Sequence, residues 1–138
     1  MLDTLGTWNI RSMYQGKLDI VKREMIGTGI SILGISELCW TGLGHFQSDE
    51  HKVFYSGNES VRRNGVAFIC SKQVANSVLG YNPVNDRIIS LRIQGRAVNS
   101  TVIQVYAPTT TAEENITEDF YNKLQETIDN TPSGDILI

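Results

Sequence analysis

Two cysteines in 138 residues are too few for a disulfide framework. Cys39 and Cys70 sit in or beside apolar runs and read as buried thiols in a reducing compartment. A zinc site built from Cys39, His45, His51 and Cys70 matches no compact ligand spacing. No apolar run approaches the roughly 20 residues of a membrane-spanning helix, so no membrane partner is expected. The N-terminus, "MLDTLGTWNI", lacks a basic segment followed by an apolar core and does not read as a signal peptide. The expectation is an intracellular protein, nuclear or cytoplasmic, and not a secreted one. The sequons at Asn58, Asn99 and Asn115 carry little weight without a secretory signal. Repeats and low-complexity linkers are also missing.

Charge of one sign is scarce in one place only. From Glu113 onward the chain holds seven of its fifteen acidic residues and one of its twelve basic residues, Lys123. The preceding part is therefore net positive by three, enough to tolerate a polyanion. No dense basic stripe marks one. The acidic segment reads as the solvated face of a helix. With 41% apolar and 20% charged residues, the chain suits one globular domain or part of a larger one.

The pattern of elements is mixed. Asp3 to Ile10 reads as a strand. Ser12-x-x-Gln15 is a candidate capping box, and Leu18, Val21 and Met25 then recur at helical spacing over about Gly16 to Ile26. Gly27 and Gly29 supply a helix end. Ser31 to Ser36 is a second strand, giving a right-handed βαβ unit with parallel strands. Further strands are read at His51 to Ser56, Gly65 to Ser71, Ile88 to Gln94 and Val98 to Tyr106, the last two forming a hairpin about Gly95. Thr111-x-x-Glu114 is a second candidate capping box. It precedes a helix with Ile116, Phe120, Leu124 and Ile128 on one line, closed by Asn130, Pro132 and Gly134. "DILI", Asp135 to Ile138, reads as the opening of another strand, and a strand this short suggests an incomplete domain.

Functional groups of such folds gather at the carboxyl ends of parallel strands. Asn9 ends the first strand, Glu37 follows the second, and Tyr106 ends the strand running into Pro108. If those strands are neighbours pointing the same way, the three converge on one sheet edge. A carboxylate, an amide and a phenol suit a hydrated Mg²⁺ and a phosphate. The plainer reading of Glu37 is an exposed loop carboxylate. Arg62 and Arg63, before "NGV", suit a DNA backbone, although a solvated turn is their plainer reading. Arg87 suits a phosphate or a pair with Asp86. Trp8 reads as core and Trp40 as partly buried packing.

Five segments occur in order: "TWNIRSMYQGKLDIVKREM", "ILGISELCWTG", "RRNGVAFI", "NDRIISLRIQG" and "VIQVYAPT". Together they resemble the N-terminal half of the endonuclease domain of non-LTR retrotransposons. That domain belongs to the endonuclease/exonuclease/phosphatase superfamily. The resemblance implies a two-sheet α/β sandwich and phosphodiester hydrolysis of DNA with Mg²⁺, Mn²⁺ being an alternative. It implies that Glu37 holds the metal, that Asn9 supports it, and that Tyr106 contacts the scissile phosphate. Asn64 and Gly65 match a structural turn. Arg11 stands where many relatives carry an acidic residue. The family's "GDFN"-like and "SDH"-like motifs, which supply an aspartate–asparagine pair and an aspartate–histidine pair, do not occur in these residues. The chain alone is therefore expected to be inactive and to bind DNA weakly. Self-association through uncovered sheet is a further expectation. A binding-only remnant and a superfamily phosphatase are the alternative functions.

Overall fold

The computed structural model describes residues 4–14 and 16–138. β1 (Leu5–Asn9), α1 (Lys17–Thr28) and β2 (Ile32–Ser36) form the expected strand–helix–strand unit. The two strands pair in parallel, from Leu5↔Ile32 to Asn9↔Ser36. The Ser12 capping box does not open α1. Its N-cap is Gly16, left-handed with φ 89°, and no side chain caps it; Gln15 lies outside the described residues. Gly27 is inside the helix. The helix ends at Gly29, whose φ of 74° suits a residue without Cβ and whose N–H donates to the Met25 carbonyl.

The chain continues through β3 (Leu43–Ser48), β4 (His51–Ser56), β5 (Val66–Cys70) and a short α2 (Lys72–Ala75). The first sheet has the order β1-β2-β5-β4-β3. β6 (Val78–Asn85), β7 (Ile88–Ile93), β8 (Ser100–Val105), α3 (Glu114–Asp129) and β9 (Ile136–Leu137) complete the fold. The second sheet runs β6-β7-β8-β9. The expected hairpin about Gly95 is present, with Ile93 opposite Ser100. β3, β6 and α2 are not foreshadowed by the sequence pattern. The second capping box is also absent: α3 is capped at Glu113 without a side-chain bond, and the Thr111 hydroxyl meets that of Thr109 at 3.1 Å.

Two apolar layers hold the structure. Val21 and Met25 of α1 pack with Leu33, Ile35, Ala67 and Ile69 on the outer face of the first sheet. Between the sheets lie Ile32, Phe54, Phe68 and Cys70 from one side and Ile89, Leu91 and Val102 from the other. Alternation along β2 explains the split, because successive side chains point to opposite faces. Trp8 is a correction. It lies on edge strand β1 and is 40% exposed, so it is not core. Trp40 is half-buried as expected and donates its indole N–H to the Met13 carbonyl at 2.7 Å.

At Gly34 the backbone of β2 comes close to β8. A Cβ there would lie 2.0 Å from Gln104 Oε1 and 2.7 Å from its Cδ. Glycine thus lets the Gln104 side chain lie directly on the strand.

β9 is held by one polar cluster. The Arg92 guanidinium reaches Asp135 through Nε at 2.8 Å and a terminal nitrogen at 3.0 Å, and the Thr101 hydroxyl donates to the same carboxylate at 2.8 Å. The Asp135 side chain is 3% exposed. The Arg92 hydrogen bond holds the Asp135 carboxyl below the usual carboxylate range; burial opposes this, and the Thr101 bond and Arg92 charge add to it. A depressed carboxyl stabilises the fold above its unfolded value near 3.8, and that stability is lost as pH falls through the lower folded value. Urea unfolding from pH 7 to pH 3 should therefore show wild type losing its advantage over Asp135→Asn below about pH 4. A constant difference across that range would contradict this assignment.

Candidate active site

The ends of β1 and β2 and the entry to β5 share an unusual backbone. Arg11 and Ser12 have φ of 53° and 90°, Glu37 and Cys39 of 54° and 62°, and Asn64 of 53°. Left-handed residues other than glycine cost roughly 1–3 kcal/mol each and persist where surrounding bonds over-determine them. Here the bonds are visible. The Glu37 carbonyl accepts from Ser12 N–H at 2.6 Å, and the Leu38 carbonyl from Met13 N–H at 3.0 Å. On the other side, Leu38 N–H donates to Gly65 at 3.1 Å and Cys39 N–H to Asn64 at 2.7 Å.

This seam then crosses to the second sheet. Gly65 N–H donates to the Asp86 carbonyl at 2.8 Å, in the turn between β6 and β7. The Asp86 carboxylate accepts from the amides of Asn64 at 2.9 Å and Asn58 at 3.3 Å. Next to it, the Arg87 carbonyl accepts from Tyr106 N–H at 2.9 Å, just past β8. The circuit closes where the Tyr106 hydroxyl donates to Glu37 Oε1 at 2.6 Å.

Glu37 and Tyr106 therefore meet, but not along one sheet edge as the sequence pattern suggests. Glu37 comes from the first sheet and Tyr106 from the second. The stacking of β2 on β8 joins them. Both are half-buried. Asn9 pairs in register with Ser36, the residue before Glu37. It is exposed, and its side chain makes no hydrogen bond among the described residues.

The hydrogen bond to Glu37 raises the Tyr106 phenol above its ordinary pKa, with burial and the Glu37 charge adding to it. The Arg87 charge acts the other way. At neutral pH Tyr106 is thus a protonated donor. Burial, then the Glu37 charge, pushes the Cys39 thiol up, so it is not a thiolate nucleophile.

Arg87 does not pair with Asp86, whose carboxylate the two asparagines occupy. It turns to Tyr106, donating to its carbonyl at 2.9 Å with the guanidinium 5.1 Å from the ring centre. Arg62 and Arg63 are exposed. Arg62 also lines a cleft of about 640 Å³ with Ser12, Tyr14, Cys39 and Trp40. Among the described residues, no three His, Cys, Asp or Glu side chains gather as a metal site. The role of Asp86 as the anchor between the sheets was not legible beforehand; its one signal was the string "YNPVND".

The two stacked mixed sheets are the two-sheet α/β sandwich expected from the sequence. Solved structures bear this out. The endonuclease domain of TRAS1, a telomere-specific non-LTR retrotransposon, matches with TM-score 0.68 at 16% identity, over 95% of this chain and 55% of that one. A 3′ phosphatase, NExo, from Neisseria, bound to a product DNA hairpin, matches at 0.65 and 22%, over 88% and 49%. An AP endonuclease from Archaeoglobus fulgidus matches at 0.64 and 22%, over 96% and 53%.

In sequence the chain is similar to Craniofacial development protein 2 of Bos taurus and of Tragulus javanicus, at 56% identity over 133 residues in each case. These residues are 96% of this chain but 22% and 23% of those proteins, so the chain spans about a fifth of the curated relatives it matches. No protein-family model matches the chain. No helix of the described residues is long and apolar enough to cross a membrane.

Proposed function

We propose that this chain is the N-terminal part of a DNA endonuclease domain of the non-LTR retrotransposon type, dependent on Mg²⁺ or Mn²⁺. The observation that carries the reading is the 2.6 Å bond between Tyr106 and Glu37, which joins the two sheets at the ends of β2 and β8. It sets one carboxylate and one phenol side by side, Glu37 on left-handed backbone and Tyr106 held by the Arg87 carbonyl.

The donor chemistry fits a hard cation. Glu37 keeps one carboxylate oxygen outside its bond to Tyr106, and the exposed Asn9 amide lies at the neighbouring strand end. Glu37 would hold the ion and Asn9 would support it, with water filling the other positions. The bound ion supplies neutralisation of phosphate charge. Tyr106, protonated at neutral pH, offers a hydroxyl whose direction Glu37 sets, so it is placed to orient a phosphate oxygen. Arg62 and Arg63 stand on an exposed loop suited to a DNA backbone, where contacts position the duplex without reading its sequence. Arg87 turns its guanidinium to Tyr106 instead.

One carboxylate gives a weak site. Mg²⁺ dehydrates reluctantly and is seldom bound tightly by a single protein ligand. Titration followed by Trp fluorescence should show no submillimolar saturation. Substoichiometric Mn²⁺ should broaden the backbone amide resonances around Asn9 and Glu37 before others, and Glu37→Gln should remove that localisation. Broadening centred elsewhere, or unchanged in Glu37→Gln, would refute the metal role.

A further inference from the structure

The Arg87 side chain has a partner that a DNA contact would not explain. Its backbone and side chain grip Tyr106 from two directions. The Arg87 carbonyl accepts the Tyr106 N–H at 2.9 Å. Its guanidinium donates back to the Tyr106 carbonyl at 2.9 Å. The same guanidinium lies 5.1 Å from the centre of the Tyr106 ring, within cation–π range. Arg87 is itself fixed from behind, because the Asn85 side chain accepts its N–H at 2.8 Å. The preceding residue, Asp86, is tied to Asn58, Asn64 and Gly65 in the loop between β4 and β5.

We infer that Arg87 is a positioning residue: it fixes the backbone and ring of Tyr106, and thereby the hydroxyl presented to Glu37, instead of meeting phosphate itself. The inference rests on the endonuclease reading for its catalytic meaning, although the contact between the two residues stands without it. A planar guanidinium serves here where an ammonium would not. It can donate to a carbonyl and lie over a ring at once, whereas lysine offers a compact point charge. The groups that act on the Tyr106 phenol are Glu37 after β2, Cys39 in the following loop and Arg87 before β7. Glu37 and Cys39 raise its pKa, and Arg87 alone among them lowers it.

The test uses this chain carrying ¹³Cζ-labelled tyrosine, with the Tyr106 resonance assigned by its loss in Tyr106→Phe. In Arg87→Ala, the Tyr106 ring resonances should move at neutral pH. Arg87→Lys keeps a charge without the fork. Its ring resonances should move as in Arg87→Ala. If Arg87→Ala fails to fold, the neutral-pH shifts in Arg87→Lys decide. An unchanged Tyr106 spectrum in a folded Arg87 variant overturns the inference. A role confined to general stability would lower the urea midpoint of unfolding while leaving the folded-state Tyr106 resonances in place, and that also counts against it. The Mn²⁺ experiment separates the two readings. A responsive Tyr106 with no broadening at Glu37 would leave the positioning role standing and defeat the endonuclease reading. Broadening at Glu37 with an unresponsive Tyr106 would do the reverse.

Discussion

Phe68→Ala should cost about 3–5 kcal/mol of unfolding free energy, in the range for a buried aromatic truncated to a methyl group. Phe68 is 1% exposed and is among the largest fully buried side chains. On central strand β5 it stands opposite Gly34 of β2 and Phe54 of β4. It packs with Ile89, Leu91 and Val102 of the second sheet. Its place opposite Gly34 matters because that position has no side chain to fill the gap. Truncation would leave a cavity between the sheets, where dispersion contacts are lost on all sides. A typical domain has only about 5–15 kcal/mol of net stability, so the loss is a large share of the whole.

The consequence reaches the candidate site. Glu37 and Tyr106 belong to different sheets, so their bond survives only while the sheets stay stacked. In folded Phe68→Ala the Tyr106 phenol should fall back toward its ordinary value, since the bond to Glu37 is the main cause raising it. Urea unfolding measures the first effect and ¹³C-tyrosine titration the second. Phe68→Leu, which keeps most of the volume, should do much less on both. A cost under about 1 kcal/mol for Phe68→Ala would mean that the interface collapses around the gap, contrary to this account.

Local signals revealed the elements with strong periodicity. α1 showed itself through Leu18, Val21 and Met25, and β4, β5, β7 and β8 through runs of β-branched and aromatic residues. β6 stayed hidden because it contains Gly80 and Pro83, residues that argue against a central strand. It is an edge strand with register shifts near both, which is where such residues are tolerated. β3 stayed hidden because only Leu43 and Phe46 are large and apolar, and it too is an edge. Asn9, Glu37 and Tyr106 were recognisable as strand-end groups. Their arrangement was not, because β2 pairs with β5 and stacks on β8 through contacts between distant parts of the chain. Trp8 was misplaced for a related reason. Composition favours burying tryptophan, but only topology shows that β1 is an edge. The clamp of Arg87 on Tyr106 has no sequence signature at all, since it joins residues 19 apart through a carbonyl and a ring face.

These 138 residues alone should not nick DNA appreciably. Metal-assisted hydrolysis needs a bound metal, an oriented water and a stabilised leaving oxygen together. The endonuclease reading assigns Glu37 to the first and Tyr106 to holding the phosphate. It also calls for an aspartate–asparagine pair and an aspartate–histidine pair, and the "GDFN"-like and "SDH"-like strings that would carry them are not in this sequence. Neither histidine present fills the gap. His45 packs its ring against Phe54 and Tyr81 at 5.9 and 5.6 Å, and His51 is 6% exposed at the start of β4. Groups that act as a unit are strongly non-additive, so part of a site does not give part of a rate. The assay is relaxation of supercoiled plasmid in Mg²⁺ and, separately, Mn²⁺, with wild type and Glu37→Ala purified in parallel. The expected result is no nicking above buffer in either protein, or equal traces in both, which would identify a contaminating nuclease. Robust nicking by wild type that disappears in Glu37→Ala would overturn this prediction. It would also mean that the Glu37–Tyr106 pair suffices as a catalytic centre without those motifs.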